Sequence, residues 1–454
     1  MSDLFRTPHE LVRAADFRRV SGRVVDVTGL TVRAQGLAAT VGAMCRIDRA
    51  HGSPIDAQVV GISAGRAVLL PLEEPMGVAA GDRVTTSASR QTVAVGRQML
   101  GTVLDGMGKP IGGRTDFAIE THYPVFAAPP AALTRSAVSD VLSTGIRSID
   151  AMHTVGGGQR LGIFAGTGVG KSVLLGMMAR YTAADVIVVA LIGERGREVG
   201  DFLRKDLGPE GFARCVLVIS TSDESPVMRV RAGFTATAVA EYFRDLGKNV
   251  LLLMDSTTRI AMAQRQIGLA AGEPPTAKGY PPSVFSLLPR LLERSGRTAV
   301  GSITGLYTVL VEGDDLTDPI SDAIRGILDG HVVLSRDLAD RGHYPSVAVL
   351  GSISRLMPDL VSAGHRAAAQ AVRQVLATHH DIADLISVGA YVPGANTEND
   401  LAVALKPRVD EFLRQEIDEC AVWTDTNERL GKLHDEIRRT REKLTAAPSP
   451  RRAA

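Results

Sequence analysis

The segment Leu161–Ser172, LGIFAGTGVGKS, restricts the fold of this chain more than any other feature. An apolar run leads into a glycine-rich stretch, and a helical pattern then continues to Tyr181. Glycines let successive backbone N–H groups turn towards phosphate oxygens, and the positive end of the following helix strengthens the attraction. In such loops the lysine reaches the β- and γ-phosphates, and the hydroxyl after it binds Mg²⁺. The segment therefore predicts a phosphate-binding loop between a strand and a helix.

The predicted nucleotide-binding residues are Gly166, Thr167, Gly168, Val169, Gly170, Lys171 and Ser172. Ala165 stands where the strict form of the pattern has glycine, but the required strand before the loop and helix after it are both indicated. A second element, Val250–Asp255, is an apolar run that ends in a carboxylate. Beside a phosphate loop, such an aspartate faces the Mg²⁺ ion. Ser172 and Asp255 are therefore the predicted metal-binding residues, with capping of the helix Ser256–Gln264 as the alternative role of Asp255.

Strand and helix patterns alternate around this loop. The apolar, β-branched runs are Leu161–Phe164, Val186–Ile192, Val216–Ile219 and Val250–Met254, and the main helical patterns between them are Ser172–Tyr181 and Pro226–Leu246. Short continuous apolar runs are typical of strands buried on both faces. The alternation predicts an α/β fold in which helices cover both faces of a parallel sheet.

The remainder of the chain differs in pattern from this core. Residues 20–95 contain short β-rich runs at Arg23–Val27, Gln58–Ile62 and Ala67–Leu70, separated by turn residues, and predict a small antiparallel barrel or sandwich. Beyond about residue 360 the patterns are helical, at Ala363–Thr378, Pro407–Glu419 and Thr426–Leu444. The predicted organisation is a polar, amphipathic N-terminal segment 1–19, a β-barrel domain 20–95, a nucleotide-binding domain 96–360 and a helical domain 361–454.

Composition narrows the classes of partner and compartment. The formal net charge is +1 and aromatic residues make up 4%, which argues against affinity based on phosphate neutralisation or base stacking. The cysteines Cys45, Cys215 and Cys420 are far apart and odd in number, as expected in a reducing cytosol. The N-terminus has no apolar signal-peptide core, and no apolar stretch approaches the length of a membrane span. We therefore expect a cytoplasmic protein that does not bind nucleic acid.

A third element, Leu191–Val199, LIGERGREV, also follows a predicted buried strand. A carboxylate in this position can orient and polarise a water molecule that attacks a phosphate. Both Glu194 and Glu198 qualify, and each has arginines nearby with which it can form a surface ion pair. From the residues alone the choice between them stays open.

Taken in this order, the motifs resemble the RecA-like ATPases related to the catalytic subunit of rotary ATP synthases, and most closely the ATPases of type III export in flagella and injectisomes. The resemblance covers residues 20–440. It depends on PSVFSLLPRLLERSG at Pro282–Gly296, supported by further matches at Tyr307–Ile320, Ile327–Val347 and Ser352–Arg355. The implied fold is a RecA-like P-loop NTPase core with an N-terminal small β-barrel and a C-terminal helical domain.

The resemblance also implies a homohexameric ring in which ATP is bound between subunits. It identifies Glu194 as the catalytic carboxylate, places Arg195 on the nucleotide phosphates and makes Arg355 the arginine that a neighbour inserts towards the γ-phosphate. An arginine supplied in trans stabilises the charge that develops on the transferred phosphoryl group. Tyr344 corresponds to the aromatic that stacks on adenine, with a core-packing role as the alternative, and Tyr391 is a weaker candidate.

The implied cofactors are ATP and Mg²⁺. The implied partners are the export apparatus, a stator-like regulator and export chaperones with their cargo, at the inner face of the cell membrane. The N-terminal segment is where the family contacts its regulator. We expect a flagellar export ATPase; the alternatives are, in order, an injectisome ATPase, a rotary ATP synthase catalytic subunit and an RNA translocase. The last needs an RNA-binding N-terminal domain, and residues 20–95 contain no cluster of aromatics among Arg and Lys.

Overall fold

A computed structural model describes residues 20–87, 91–311, 315 and 317–446; the predicted N-terminal segment 1–19 lies outside them. The first part is a closed antiparallel barrel with the strand order β1-β2-β5-β4-β3-β6. Its strands are β1 Ser21–Thr28, β2 Thr31–Gln35, β3 Met44–Asp48, β4 Ile55–Ser63, β5 Arg66–Pro71 and β6 Arg83–Ser87. Buried and exposed residues alternate along β2 and β3, so one face of each strand fills the barrel core. The predicted barrel is confirmed.

A ten-stranded sheet forms the centre of the molecule, in the order β18-β17-β11-β16-β14-β12-β13-β8-β9, with β15 paired to β16. Its strands are β8 Thr102–Leu104, β9 Pro110–Gly113, β11 Arg160–Ala165, β12 Val186–Ile192, β13 Cys215–Ser220, β14 Asn249–Asp255, β15 Gly296–Arg297, β16 Ser302–Leu310, β17 Gly330–Leu334 and β18 Ile353–Ser354. The strands from β17 to β8 run parallel, and the outer strands β18 and β9 are antiparallel to their neighbours. A separate pair, β7 Thr92–Val95 and β10 Thr121–Pro124, is antiparallel.

Helices cover both faces of this sheet. The helices of this part of the chain are Arg147–Met152, Lys171–Tyr181, Gly196–Asp201, Gly208–Ala213, Pro226–Asp245, Thr257–Ala271, Pro282–Leu292, Pro319–Ile327, Arg336–Asp340 and Met357–Leu360, with a π-helical turn at Phe202–Leu207 and 3₁₀ turns at Arg97–Met99, Ala132–Thr134 and Ala277–Gly279. Alternate residues of β12 enter different cores: Val188 and Ala190 lie in one, and Ile187 and Val189 in the other. A strand buried on both faces needs apolar residues at every position, which explains its continuous apolar run.

The last part is helical, with a core of its own. Its helices are Ala363–Asp381, Ala383–Ser387, Thr397–Leu413 and Trp423–Ala446. The predicted helix Pro407–Glu419 is wrong at both ends. The helix begins after Asn396, whose side chain caps it by accepting hydrogen bonds from two backbone N–H groups, so Pro407 lies inside it. It ends at Leu413 because Arg414 adopts an extended conformation and the following residues turn back towards the phosphate loop.

The signature Pro282–Gly296 has a packing role in this fold. Arg294 is fully buried and forms a bidentate ion pair with Glu241, and it also donates to the carbonyl of Val125. These contacts join the helix Pro282–Leu292 to the long helix Pro226–Asp245. A buried guanidinium is tolerated only when such partners satisfy it, so the signature requires specific surroundings. Among the described residues, no helix combines the length and the apolar character needed to span a membrane.

Candidate active site

The phosphate loop connects β11 to the helix Lys171–Tyr181, as predicted. Gly168 and Gly170 have φ angles of 79° and 88°, a backbone region that side chains rarely adopt, so both positions favour glycine. Ser346 Oγ donates a hydrogen bond of 2.6 Å to the carbonyl of Val169. Arg336 Nη1 donates one of 3.2 Å to the carbonyl of Thr167. The loop is therefore held by side chains that follow β17.

Lys171 lies between two carboxylates that end neighbouring strands. Its Nζ donates a hydrogen bond to Asp255 Oδ1 and is 3.6 Å from Glu194 Oε1. The three side chains are largely buried, with exposed fractions of 12%, 5% and 14% for Lys171, Asp255 and Glu194. Leu191 pairs with Asp255 across β12 and β14, so both strands deliver their carboxylates at the same edge. The fold thus brings three sequence-predicted residues into one cluster.

The alternative role of Asp255 as a helix cap is wrong. Ser256 is the N-cap of the helix Thr257–Ala271, and its side chain accepts the backbone N–H of Arg259 at 3.3 Å. Asp255 instead accepts a hydrogen bond of 2.7 Å from Thr308 Oγ1 on β16. The peptide bond between Asp255 and Ser256 is cis. Because capping uses the next residue, the Asp255 carboxylate is available to the cluster at the strand ends.

Burial separates the two candidate glutamates. Glu198 is 48% exposed and its Oε1 lies 3.8 Å from Arg195 Nη1, a surface ion pair one helical turn apart. Glu194 is 14% exposed and belongs to the cluster with Lys171. Arg195 is 83% exposed and points to Glu198 rather than to this cluster. In a single chain, therefore, Glu194 belongs to the cluster with Lys171 and Arg195 does not.

The electrostatics of Glu194 suit a group that accepts a proton. Burial raises its pKa to about 7, and the positive charge of Lys171 opposes that rise. The negative charge of Asp255, and the hydrogen bond and charge of Glu198, add to it. A general base works best when its pKa is close to the working pH. Glu194 can therefore be charged at neutral pH and still take up a proton there.

The predicted metal ligands provide oxygen donors of the right kind. Ser172 presents an exposed hydroxyl in the first turn of the helix that follows the phosphate loop. Asp255 provides a carboxylate whose Oδ1 is already hydrogen-bonded. No group of three or more His, Cys, Asp or Glu side chains among the described residues is arranged to hold a metal ion. Mg²⁺ usually binds only a few protein oxygens and completes its coordination with water and substrate phosphates. These residues therefore fit that ion.

A cavity of about 420 Å³ opens beside the loop. Its lining includes Gly168–Gly170, residues 173, 174 and 177 of the following helix, Tyr344 with the two residues after it, and residues 414–417. Tyr344 is 45% exposed, and its ring lies 3.4 Å from the point where a Cβ on Gly170 would be. This placement rules out a buried core role for Tyr344 and suits stacking on a base. Tyr391 is elsewhere, in a hydrogen bond to Asp400 of the helical domain.

Arg355, like Arg195, is a predicted site residue that the single chain does not bring to the cluster at the phosphate loop. It follows the edge strand β18, and the preceding residue, Ser354, pairs with Gly330 at the start of β17. The phosphate loop lies beyond the opposite end of the neighbouring strand β11. Six residues of extended strand separate Arg160 from Gly166, which is roughly 20 Å. An exposed arginine at this distance cannot act on the nucleotide of its own chain.

Residues that sequence reasoning missed complete the site. Thr308 orients Asp255, and Gln415 joins the helical domain to the cavity by donating its backbone N–H to the carbonyl of Tyr344 at 3.0 Å. The side chain of Arg259 packs against Gly193, where an added Cβ would be 2.9 Å from it, and its buried Nε has no hydrogen-bond partner among the described residues. Only the position of Arg259, four residues after Asp255, offered a signal in the sequence.

Two regions of the chain match models of known protein families. Residues 145–354 match the model of the ATP synthase alpha/beta family, nucleotide-binding domain. Residues 361–432 match the model of the T3SS EscN ATPase C-terminal domain. The first match spans the phosphate loop, Glu194 and Asp255, and the second covers most of the helical domain. The two matches together follow the described order of domains.

Individual relatives extend the similarity to most of the chain. The flagellum-specific ATP synthase of Pseudomonas aeruginosa is 51% identical, over 91% of this chain and 93% of that protein. The type 3 secretion system ATPase of Xanthomonas euvesicatoria is 45% identical, over 94% and 97%. The solved structure of the assembled ATPase EscN from enteropathogenic E. coli has a TM-score of 0.86 at 42% identity, over 91% of this chain and all of that one. The chain therefore belongs to the family of flagellum-specific ATP synthases and type III secretion ATPases.

Proposed function

We propose that this chain hydrolyses ATP, with Mg²⁺ as the metal ion, in a homohexameric ring that energises type III protein export. The observation that carries the proposal is the cluster of Lys171, Glu194 and Asp255 beside the phosphate loop. A phosphate-binding cation, a base with a pKa near neutrality and a metal-binding carboxylate are the parts that phosphoryl transfer to water needs. Membership of the family supports type III protein export as the cellular process.

Each residue then has a separate task. The amides of residues 166–170 and the Lys171 ammonium bind the β- and γ-phosphates. ATP takes Lys171 away from its carboxylate partners, and the freed Glu194 orients a water molecule. As the water oxygen attacks the γ-phosphorus, Glu194 accepts the water proton and the bond to the β-phosphate oxygen breaks. Mg²⁺, which Ser172 and Asp255 would hold, neutralises charge on the phosphate oxygens when it is bound.

The position of Arg355 supports the proposed ring. Its guanidinium is exposed and remote from its own phosphate loop, so it is suited to complete the site of the next subunit. Arg195 is also too exposed to act inside its own cluster and is expected to turn to the phosphates only when the site is closed. The similar ATPase EscN has been solved as an assembled ATPase, and also in complex with its central stalk EscO. We expect the same kind of assembly and a stalk-like regulator here.

The export assignment is preferred to the alternatives because the helical domain matches the EscN type. Within export, the flagellar assignment is supported by relatives named as flagellum-specific ATP synthases at 51% and 50% identity. Other relatives of that name, at 43% to 48%, overlap the 45% of the secretion ATPase. We expect chaperone-bound cargo as the partner, no nucleic acid, and a cytoplasmic protein that attaches peripherally to the inner face of the cell membrane.

The pH dependence of hydrolysis tests the role of Glu194. Because its pKa is raised to about 7 and the charged form is the base, kcat/KM should rise as the pH increases through that value. Glu194→Gln should lower kcat by about 10²-fold and abolish this rising limb, since a general base contributes on that order. ATP binding, followed with a fluorescent nucleotide, should persist in the variant.

Glu198→Gln is the matched control, because it removes a carboxylate from the same loop that is exposed and paired with Arg195. It should retain the activity and the rising limb, and because the Glu198 carboxylate raises the pKa of Glu194, that limb should move to lower pH. A chain without ATPase activity, or a Glu194→Gln variant with the rate and pH profile of the unmodified protein, would refute the proposed chemistry.

A genetic experiment separates the two export systems. Deleting the coding sequence from its own bacterium should abolish flagellar filaments and swimming, because the export of filament subunits would stop. The unmodified gene should restore both, whereas the Glu194→Gln allele at the same protein level should not. Normal swimming combined with loss of effector secretion into the medium would instead assign the chain to an injectisome.

A further inference from the structure

The backbone of Arg355 is anchored at the edge of the sheet. Its N–H donates a hydrogen bond of 3.0 Å to the carbonyl of Asp329. The residue before it, Ser354, donates from Oγ to the carbonyl of Thr154 at 2.8 Å and accepts from Gln159 Nε2 at 3.0 Å. Gln159 Nε2 also reaches the Asp329 carbonyl, at 3.2 Å. The chain that presents Arg355 is therefore fixed by a small, connected set of hydrogen bonds.

Asp329 is itself clamped by Arg160. The carboxylate accepts hydrogen bonds from Arg160 Nε at 3.1 Å, Nη2 at 3.0 Å and the backbone N–H at 3.0 Å, and the Asp329 N–H returns one of 2.9 Å to the Arg160 carbonyl. Bidentate pairing of this kind fixes orientation as well as charge. Glu293, next to the buried Arg294, forms an ion pair with Arg160 from the other side. Burial lowers the pKa of Arg160, but these hydrogen bonds outweigh it and keep the side chain charged.

The guanidinium of Arg355, unlike its backbone N–H, is not hydrogen-bonded to the described residues. Its side chain is exposed, and within the part of the chain that the structure describes its guanidinium forms no hydrogen bond or ion pair. A rigidly held main chain with an open guanidinium suits a donor that acts on another molecule. Because the main chain at Arg355 is already ordered, little of its conformational entropy is lost when the partner binds, which is the advantage of a preorganised group.

A single strand joins this anchor to the nucleotide site. Arg160 begins β11, and the other end of β11 leads directly into the phosphate loop. We infer that Asp329, clamped by Arg160, is a positioning residue that holds Arg355 in place for the ATP bound by the neighbouring subunit. β11 then links the nucleotide that a subunit binds to the arginine that it donates. The inference rests on the proposed function, in which Arg355 acts in trans.

Mixed rings test this role, because they distinguish a residue that serves its own site from one that serves the next. Asp329→Asn rings should keep their affinity for ATP and lose kcat by about 10-fold or more, as small misplacements of catalytic groups do. Lys171→Ala subunits have no active site of their own but still donate Arg355. When the two variants carry different tags and are purified together as mixed rings, about a quarter of randomly formed interfaces combine an intact site with an intact donor.

The mixed rings should therefore be about fivefold more active than the average of the two separate preparations, if a restored interface works at the normal rate. Activity equal to that average would overturn the inference, because Asp329 would then act within its own subunit. A reference mixture of Lys171→Ala and Arg355→Ala subunits keeps the two proposals apart. Recovery in this reference without recovery for Asp329→Asn leaves the shared site standing. No recovery in the reference overturns both proposals.

Two further variants serve as a control and as a substitute for Asp329→Asn. Asp140→Asn removes a carboxylate that pairs with Arg297 but does not contact Arg355, and its rings should keep the normal kcat. If Asp329→Asn does not assemble, Arg160→Lys replaces it in the same mixtures, because lysine keeps the charge but cannot form the bidentate pair. The same recovery is expected, and its absence would again overturn the inference.

Discussion

Arg355→Ala should bind ATP normally and hydrolyse it about 10³-fold more slowly or worse, the range that an arginine supplied in trans contributes to kcat. The variant removes positive charge from the transition state of a neighbouring site and leaves its own phosphate loop untouched. Its own fold should also be unaffected, because the exposed guanidinium forms no hydrogen bond or ion pair among the described residues, whereas the anchoring hydrogen bond uses the backbone N–H. Steady-state hydrolysis and equilibrium nucleotide binding measure the two halves of the prediction.

The concentration dependence of the unmodified protein provides the companion measurement. Specific activity should rise as subunits assemble and should be low for a demonstrated monomer, since each site lacks an arginine until a neighbour arrives. Arg325→Ala is the control: it removes an arginine that precedes β17 but pairs with Asp322 of the same helix, and it should keep the activity. Full activity in a monomer, or in Arg355→Ala, would contradict the shared site.

The fold was predictable where local pattern and tertiary environment agree. β12 is buried along its whole length, so its apolar run and its bounds coincide with the prediction Val186–Ile192. The helix predicted for residues 414–419 was wrong because tertiary contacts determine their conformation. The carbonyl of Arg414 accepts a hydrogen bond from the buried Arg147, and the side chain of Gln415 donates to Gly145 at 2.8 Å, so these residues leave the helix to line the nucleotide cavity. No periodicity in the sequence encodes such contacts.

The residues of the candidate site also divide into those that local pattern predicts and those that tertiary contacts decide. The phosphate loop and Asp255 were predictable because backbone geometry dictates glycine and strand-end positions there. Glu194 and Glu198 were not separable, since both follow β12 within a short distance and only burial beside Lys171 distinguishes them. Thr308 was missed because its role depends on β16 lying next to β14, a non-sequential pairing. Arg355 lies away from its own phosphate loop because of the strand order of the sheet, which no local sequence pattern shows. Such a residue is identified from sequence only through resemblance to a known family.

Lys171→Ala should reduce hydrolysis by about 10³-fold, because the ammonium is a preorganised charge on the β- and γ-phosphates in a site with little water. The structure adds a second consequence. Lys171 is the cation between Asp255 and Glu194, so its removal leaves two carboxylates facing each other. Since the charge of Lys171 holds the pKa of Glu194 down, that pKa should rise further in the variant. The remaining base would then be protonated at neutral pH, which compounds the loss of phosphate binding.

Circular dichroism and thermal unfolding should find the variant folded, because the helix that begins at Lys171 buries its apolar residues from Leu174 onwards. Lys205→Ala is the matched control: it removes a lysine whose ion pair with Asp201 is on the surface, and it should hydrolyse ATP normally. The rise in the Glu194 pKa separates the two consequences, because the residual activity of Lys171→Ala should increase more at alkaline pH than that of the unmodified protein. Normal turnover by folded Lys171→Ala would refute the assignment of the phosphate loop, and a residual activity with an unchanged pH profile would refute the coupling between Lys171 and Glu194.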